Sequence, residues 1–388
     1  MVHLKNKTCR AFIFFLLFIL IISCNKHEKP EETEITFEEI TEIEEKPRQY
    51  NLTLVAAGDN LFHETIINTH YHDGVYDFSP IYAEIKSIIA GADLAFINQE
   101  NVMAGKSFGY SGYPTFNTPQ SLAKTLAQNG FDIVNIANNH TMDMGRAGLY
   151  ATLDLLDEIK EFTVIGARKS GESHRIVTKN NITLGFLSYT YGLNGFTLPA
   201  GEPNLVSLIN REKMSQEINI LRPLCDFLIV SMHWGEEYML EAGTAQKSLA
   251  EFIAQHNVDL IIGHHPHVLQ PVASLDRPDG KKMLCFYSLG NFVSNQREKE
   301  RILGALMLVT FTKEGEELSI SDSGLIPVIC HFEIGYVNTK VYPLYSYTQE
   351  LLEKHNLRRF DSALDYNFFK SILINMGTKM IMYNPFSE

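Results

Sequence analysis

Five separate apolar runs of strand length in this chain each stop abruptly at a cluster of carboxylate, amide and imidazole side chains. The fullest is Asp259 to Pro271, Asp-Leu-Ile-Ile-Gly-His-His-Pro-His-Val-Leu-Gln-Pro. Leu260 to Ile262 read as a buried strand too short for a helix, and Gly263 lets the chain turn sharply at its end. Three histidines in four positions therefore fall on a strand-end loop that Pro266 stiffens. Neutral imidazole is the commonest protein ligand for transition metals, so a metal site is the first reading and surface histidines the competing one. The other four runs favour the metal. Leu52 to Ala56 leads to Gly58-Asp59-Asn60-Leu61-Phe62-His63, and Asp93 to Ile97 leads to Asn98-Gln99-Glu100. Asp132 to Ile136 ends in Ala137-Asn138-Asn139-His140-Thr141-Met142-Asp143, and Asp226 to Met232 ends in His233-Trp234-Gly235-Glu236-Glu237.

Between these runs lie helical patterns. Ser79 and Pro80 start one that carries Ile81, Ile85, Ile88 and Ile89 and stops at Gly91. Others run from Thr118-Pro119 to Asn129-Gly130, through Leu149, Leu153 and Leu156, and from a Thr244 cap to Asn257. A strand near Phe162 to Ile165 has no polar ending, Asn180-Asn181 turns a hairpin, and Met283 to Ser288 is a strand leading to Gly290-Asn291-Phe292-Val293. Leu303 to Phe311 and Leu318 to Ile326 form a second hairpin around Glu314-Gly315, and Leu325 to Cys330 continues the sheet. Alternating strands and helices predict a largely parallel α/β core with antiparallel additions. Ligands of such sheets bind at the carboxyl ends of the strands, so five polar endings converge in one crevice if the strand order allows it.

Asp59, Glu100, His63, Asn139, His140, His233, His264, His265 and His267 offer oxygen and imidazole nitrogen but no thiolate, a set suited to manganese, zinc or iron(II). So many ligands suffice for two divalent ions, with Glu100 or Asp59 as the shared oxygen ligand. A histidine left free of metal beside them is placed to protonate a leaving group.

The termini and the charge bound the rest. Lys5, Lys7 and Arg10 precede the apolar run Ala11 to Ile22, too short for a comfortable membrane span and suited to a signal peptide. Ile21-Ile22-Ser23-Cys24 resembles a bacterial lipobox, which makes residues 1–24 a lipoprotein signal and Cys24 the lipidated residue; an uncleaved anchor or ordinary secretion is the alternative. Residues 25–50 hold nine glutamates with Pro30 and Pro47 and read as an acidic tether. The folded domain is expected over 51–333, with a helical and aromatic extension over 334–388 packing on it. Net charge is -13, and the only cations of the signal are lost with it, so nucleic acid is excluded as a partner by the need to neutralise phosphates. Of Cys225, Cys285 and Cys330, the first two flank or sit in apolar runs and read as buried thiols, with room for one disulfide and no zinc spacing.

Taken together, Gly58-Asp59, Asn98 to Glu100, Ala137 to His140 with Asp143 and Gly145, His233-Trp234-Gly235, Gly263 to His267 and Gly290-Asn291-Phe292 resemble the CapA family of capsule and poly-gamma-glutamate synthesis proteins over roughly Leu52 to Glu333. That family is similar to the calcineurin-like metallophosphoesterases, which implies a four-layer α/β/β/α sandwich of two mixed sheets and a two-metal centre. The resemblance implies Asp59, Glu100, Asn139, His233, His265 and His267 as ligands and His140 as acid. It departs at the first motif, where Asp-x-His is replaced by Asp59-Asn60-Leu61, so that His63 is an additional candidate. His264 offers an alternative alignment of the last motif, and Glu100 is one methylene longer than the usual aspartate.

Structural readings stand beside these. Asn139 and His140 would cap the following helix, Trp234 would pack, and His63, His70 and His72 would lie at the surface, save that His63 follows Gly-Asp. Asp93, Asp132, Asp226 and Asp259 each precede a strand and read as turn or cap residues, and Tyr110, Tyr113 and Phe116 as a loop over the crevice. Two functions follow: a metal-dependent hydrolase acting on a phosphoester or an envelope polymer, or a non-catalytic metal-binding accessory of a membrane synthesis and export complex.

Overall fold

Strands buried on both faces read as unbroken apolar runs, and the chain sorts each such run into two cores by simple alternation. In the computed structural model, which describes residues 47–387, Leu52, Leu54 and Ala56 face one core while Val55 and Ala57 face another. Phe227, Ile229, Leu260 and Ile262 share the first of these cores, whereas Leu228, Val230, Met232 and Ile261 enter a third. The shared core is therefore the space between two sheets.

In chain order the strands are β1 (Gln49–Asn60), the short pair β2 (Tyr71–His72) and β3 (Val75–Tyr76), β4 (Leu94–Gln99), β5 (Ile133–Asn135), β6 (Thr163–Ile165), β7 (Arg175–Lys179) and β8 (Ile182–Thr190). They continue as β9 (Phe227–His233), β10 (Leu260–His264), β11 (Leu269–Asp276), β12 (Lys282–Leu289), β13 (Asn291–Val293), β14 (Leu303–Glu314), β15 (Glu317–His331) and β16 (Lys340–Pro343). The helices are α1 (Glu64–Thr69), α2 (Lys86–Gly91), α3 (Ser121–Gln128), α4 (Gly145–Asp157), α5 (Arg211–Leu221), α6 (Thr244–Ala254), α7 (Gln349–Lys354) and α8 (Tyr366–Leu373).

One sheet has the order β16-β15-β14-β1-β4-β5-β6, with β13 beside the end of β1; the other has the order β11-β12-β10-β9-β8-β7. The first is parallel from β1 through β4 and β5 to the edge strand β6 and antiparallel on its β14-β15-β16 side, while the second is parallel over β8-β9-β10-β12 and antiparallel at both edges. Helices α1 to α4 cover the outer face of the first sheet, and α5 and α6 that of the second. The chain thus forms the four-layer α/β/β/α sandwich of two mixed sheets that the resemblance implies. Among the described residues no helix is long and apolar enough to cross a membrane. The signal, Cys24 and most of the acidic tether lie outside the described residues.

Several local readings are corrected. Ser79 to Gly91 is not one helix: Ser79–Tyr82 is a 3-10 turn, held by the Asp77 carboxylate accepting from Ser79, and α2 starts afresh at Lys86. Helix α6 is capped by Gly243 and Gln246, whose side chain accepts from the Gly243 N–H, and not by Thr244. Strands β11 and β16 were not anticipated, and β16 extends the first sheet with residues from beyond 334. His70 is buried, donating from Nδ1 to the Ile66 carbonyl at 2.8 Å, and is not a surface residue. Cys285 and Cys330 are buried, Cys225 is half-buried, and all three are free.

The four aspartates that precede strands do more than cap turns. Asp93 accepts from the Thr53 N–H, Asp132 from Ala95, Asp226 from Thr183 and Asp259 from Leu228. Each carboxylate so clamps the first residues of the neighbouring parallel strand, which sets the register with which the strands arrive at their opposite, carboxyl ends.

Candidate metal centre

Register brings the polar endings level. Asp59 pairs with Asn98 and with Asn291, Asn98 with Asn135, and His264 with His233 across the second sheet. Two glycines permit the close approach of the strands here: a Cβ on Gly58 would lie 2.0 Å from the Gly290 carbonyl oxygen, and one on Gly263 2.0 Å from that of Tyr287. Gly263 therefore serves close packing. The turn expected of it is made by His265 and His267, at φ 97° and 60°, a left-handed conformation that costs free energy in any residue with a side chain.

That turn aims the loop inward. The His265 N–H donates to Asp59 Oδ2 at 3.2 Å, and His267 Nδ1 lies 3.1 Å from the same oxygen. His267 Nε2 is 3.7 Å and His233 Nε2 3.6 Å from Glu100 Oε1, and His233 Nε2 is also 2.9 Å from Asn139 Oδ1. Asp59, Glu100 and His233 are fully buried. Of three overlapping groups two are wholly buried, Asp59 with Glu100 and His267, and Glu100 with His233 and His265; within each, ligand atoms lie within 4.8 Å of one another. Glu100 belongs to both. Either group could hold a divalent cation.

Both Glu100 oxygens and His265 Nδ1 are buried without a hydrogen-bond partner. An ionised carboxylate is tolerated in such a place only beside a compensating cation, so the residues present fit the metal that the ligand set implies. Electrostatics agree. Burial pushes the Glu100 carboxyl well above the ordinary range, with the charge of Asp59 adding to it. Burial acts the same way on Asp59, but the imidazoles of His264 and His267 outweigh it and hold that carboxyl well below its usual value. His267, buried yet flanked by Glu100 and Asp59, is raised to about 9. Burial and the neighbouring histidines lower His233 well below 6.5 and His265 to about 4, so both are neutral and ready to act as ligands at pH 7.

Behind Asp59 runs a buried line of amides. Asn98 Nδ2 donates to Asp59 Oδ1 at 2.8 Å, Asn135 Nδ2 donates to Asn98 Oδ1 at 2.8 Å, and the Ser188 hydroxyl donates to Asn135 Oδ1 at 2.6 Å. Asn291 meets His267 Nδ1 at 3.0 Å and donates to the His267 carbonyl at 3.2 Å, fixing the ring from the other side.

His140 lies beside the cluster. Its Nδ1 is 2.8 Å from Asp143 Oδ2, which also accepts from the Phe116 N–H, and the Phe116 ring meets it edge-on at 4.7 Å. A carboxylate only accepts, so the hydrogen is on Nδ1 and Nε2 is the nitrogen left to exchange a proton. Asn194 lies beside both His140 and Asn139: its Oδ1 accepts from Asn139 Nδ2 at 3.1 Å, while its Nδ2 approaches His140 Nδ1 at 3.2 Å without a hydrogen bond, since both nitrogens carry hydrogen. The capping reading of Asn139 and His140 is wrong: α4 begins at Gly145 after Met144 and has no side-chain cap.

The remaining candidates separate. His264 stacks on Phe96 at 5.7 Å with Nδ1 3.5 Å from Asp59 Oδ1, and it falls in neither metal-holding group. His63 is half-buried, packs edge-on against Phe116 at 5.4 Å and is lowered to about 4 by burial and by His267; it too joins neither group. Of the aromatic loop, Phe116 reaches the site while Tyr113 is exposed. Trp234 packs on Tyr287 and donates from Nε1 to the Tyr287 carbonyl at 3.0 Å.

Three contributors were missed from sequence. Glu237 groups with His265 and His267, Tyr191 lies over His265 with ring centroids 4.6 Å apart, and Asn135 supports Asn98. Asn135 left a signal, a lone amide inside an apolar strand, and Glu237 stood in the polar ending after His233 without being singled out; Tyr191 left none.

A family profile described as "Bacterial capsule synthesis protein PGA_cap" matches residues 53–296. The PGA biosynthesis protein CapA of Bacillus subtilis (strain 168) is 29% identical over 225 residues, 56% of this chain and 57% of that protein. The capsule biosynthesis protein CapA of Bacillus anthracis is 30% identical over 184 residues, 46% and 43% respectively. The chain thus spans about half the length of these relatives. Similar solved structures include the NAD nucleotidase NadN of Haemophilus influenzae, at TM-score 0.44 and 14% identity over 84% of this chain and 68% of that one. The calcineurin-like phosphoesterase YfkN of Bacillus subtilis matches at TM-score 0.45 and 13% identity over 84% and 100%. The profile match covers every residue of both overlapping groups and the His140–Asp143 pair, and the chain belongs to the bacterial capsule synthesis protein PGA_cap family, that of the CapA proteins.

Proposed function

We propose that this chain is a metal-dependent hydrolase of the cell envelope, lipid-anchored through Cys24 and acting on a phosphoester or an acyl linkage of a capsule or poly-gamma-glutamate type polymer. The observation that carries this reading is the sharing of Glu100 by two carboxylate and histidine groups beside the paired His140 and Asp143. One ion would be held by Asp59, Glu100 and His267, the other by Glu100, His233 and His265 with Asn139. Bound there, divalent ions supply Lewis acidity toward a phosphoryl or carbonyl oxygen and make water more acidic. The protein does the rest. Asn98 and Asn291 hold Asp59 and His267 in place, Asp143 keeps the hydrogen of His140 on Nδ1, and Nε2 delivers a proton to the departing oxygen or nitrogen.

A non-catalytic accessory of a membrane synthesis or export complex would need the metal ligands but no proton carrier. The Asp143 carboxylate, buried and bound to both His140 and the Phe116 backbone, favours the enzyme. The test is to load the purified protein with manganese, measure bound metal, and follow hydrolysis of bis-p-nitrophenyl phosphate. Stoichiometric metal with turnover that falls at least 100-fold in His140→Ala supports the enzyme; tight metal with no turnover on phosphodiester, ester or amide probes leaves the accessory role.

A further inference from the structure

A second cavity shares a wall with the metal centre. It has a volume of about 570 Å³ and is walled by Tyr191, Ile209, Trp234, Met239 and Leu249. Tyr191 is the shared wall: its ring lies against His233 and His265, its N–H donates to the His233 carbonyl at 3.0 Å, and it is 48% exposed. Trp234 follows the ligand His233 directly and donates from its backbone N–H to the His264 carbonyl at 3.1 Å. The cavity therefore opens beside the place where a reacting centre would sit, at a size ordinary for a small-molecule subsite.

Its charge is one-sided. Glu236 and Glu241 line it, and no lysine, arginine or histidine does. Arg301, close to the strand-end loop, is stacked over Tyr238 with its guanidinium 3.4 Å from the ring centre and lines no part of the cavity. The amino end of α6, at Gly243 and Thr244, does open into it. A helix end carries about half a positive charge, which two whole carboxylates outweigh. Aromatic walls with an anionic rim attract cations and neutral apolar groups and repel anions.

We propose that this cavity is a substrate subsite for an apolar substituent bearing a cationic ammonium group. The proposal deepens the hydrolase reading and rests on it only for the statement that the substituent belongs to the substrate. A carboxylate would meet like charge at Glu236 and Glu241, so the group seated here carries the opposite sign and the anionic groups of a polyglutamate-type polymer lie outside the cavity.

The chain has one tryptophan, Trp234, and it lines this cavity, so intrinsic tryptophan emission reports on it, with the change on adding manganese, which adjoins Trp234 through His233, taken as the baseline of the manganese arm. Benzyltrimethylammonium and benzoate, similar ring bodies of opposite charge, are titrated into the full chain with and without manganese. The expected result is saturable change with the ammonium, at least tenfold weaker response to benzoate, and an ammonium affinity reduced fivefold or more in Glu236→Gln/Glu241→Gln and in Tyr191→Ala. Benzoate binding as tightly as the ammonium, no response to the ammonium, or unchanged ammonium affinity in the glutamine variant would overturn the proposal. Phosphodiester turnover, measured on the same preparations, tests the hydrolase reading separately: ammonium binding without turnover sinks that reading and leaves the cavity's selectivity standing.

Discussion

Asn98 donates a hydrogen bond from Nδ2 to Asp59 Oδ1 at 2.8 Å, and Asn135 holds Asn98 from behind at the same distance. Since a ligand's orientation depends on the groups behind it, Asn98→Ala is expected to weaken manganese binding about 10- to 100-fold. Titration calorimetry on the variant checks this, with a circular dichroism melt to establish that it is folded. Parent-like affinity in a folded variant would show that Asp59 needs no such support.

Glu100→Gln separates stability from metal binding. The carboxylate is buried and its oxygens have no hydrogen-bond partner. Burial disfavours the ionised form of this carboxyl, so a neutral amide costs the metal-free protein little, and the metal-free variant is expected to be as stable as the parent or up to about 2 kcal/mol more stable. Manganese should raise the melting temperature of the parent and not of the variant. A metal-free variant less stable by more than about 1 kcal/mol would contradict the assignment of Glu100 as a carboxyl that burial alone does not favour.

The opposite end of the sheets should behave in the reverse way. Asp259 accepts from the Leu228 N–H and pairs with Arg222 and with Arg277, which is itself buried. Asp259→Ala leaves Arg277 with only Asp279 and is expected to cost about 3 to 5 kcal/mol, read from urea unfolding, while manganese affinity in the folded variant stays unchanged.

Much of the fold was legible because strands covered on both faces must be apolar throughout, and Leu52 to Ala56, Phe227 to Met232 and Leu260 to Ile262 are. Their polar ends were legible for the same reason, since nothing apolar follows. How the five runs divide between two sheets was not, because strand order is decided by long-range packing. Strand β11 was missed because its second half is largely half-buried or exposed and lacks an apolar run. The choice among His264, His265 and His267 depended on backbone conformation: left-handed φ at His265 and His267 turns their side chains toward the carboxylates, which residue type alone does not reveal.

Acid should destabilise the protein through histidines far from the metal centre. His331 and His355 are buried with ring centroids 5.3 Å apart; burial, aided by nearby lysines, lowers His331 to about 4, and burial with His331 lowers His355 to about 3. Above pH 6.5 both are neutral folded or unfolded and contribute nothing. As pH falls from about 6.5 toward 4 only the unfolded chain takes up these protons, so stability declines by about 1.4 kcal/mol per pH unit for each. Urea unfolding at pH 7.0, 6.0 and 5.0 measures the slope, and His331→Gln should reduce it by one such increment. An identical slope in the variant would place the proton uptake elsewhere.

The most direct measurement is anomalous diffraction at the manganese edge from crystals of the protein grown with manganese. Two peaks are predicted with Glu100 between them, one adjoining Asp59 and His267 and the other adjoining His233 and His265. Manganese absent from Glu100, or bound only away from these side chains, would contradict the claim that the strand ends assemble a two-metal centre.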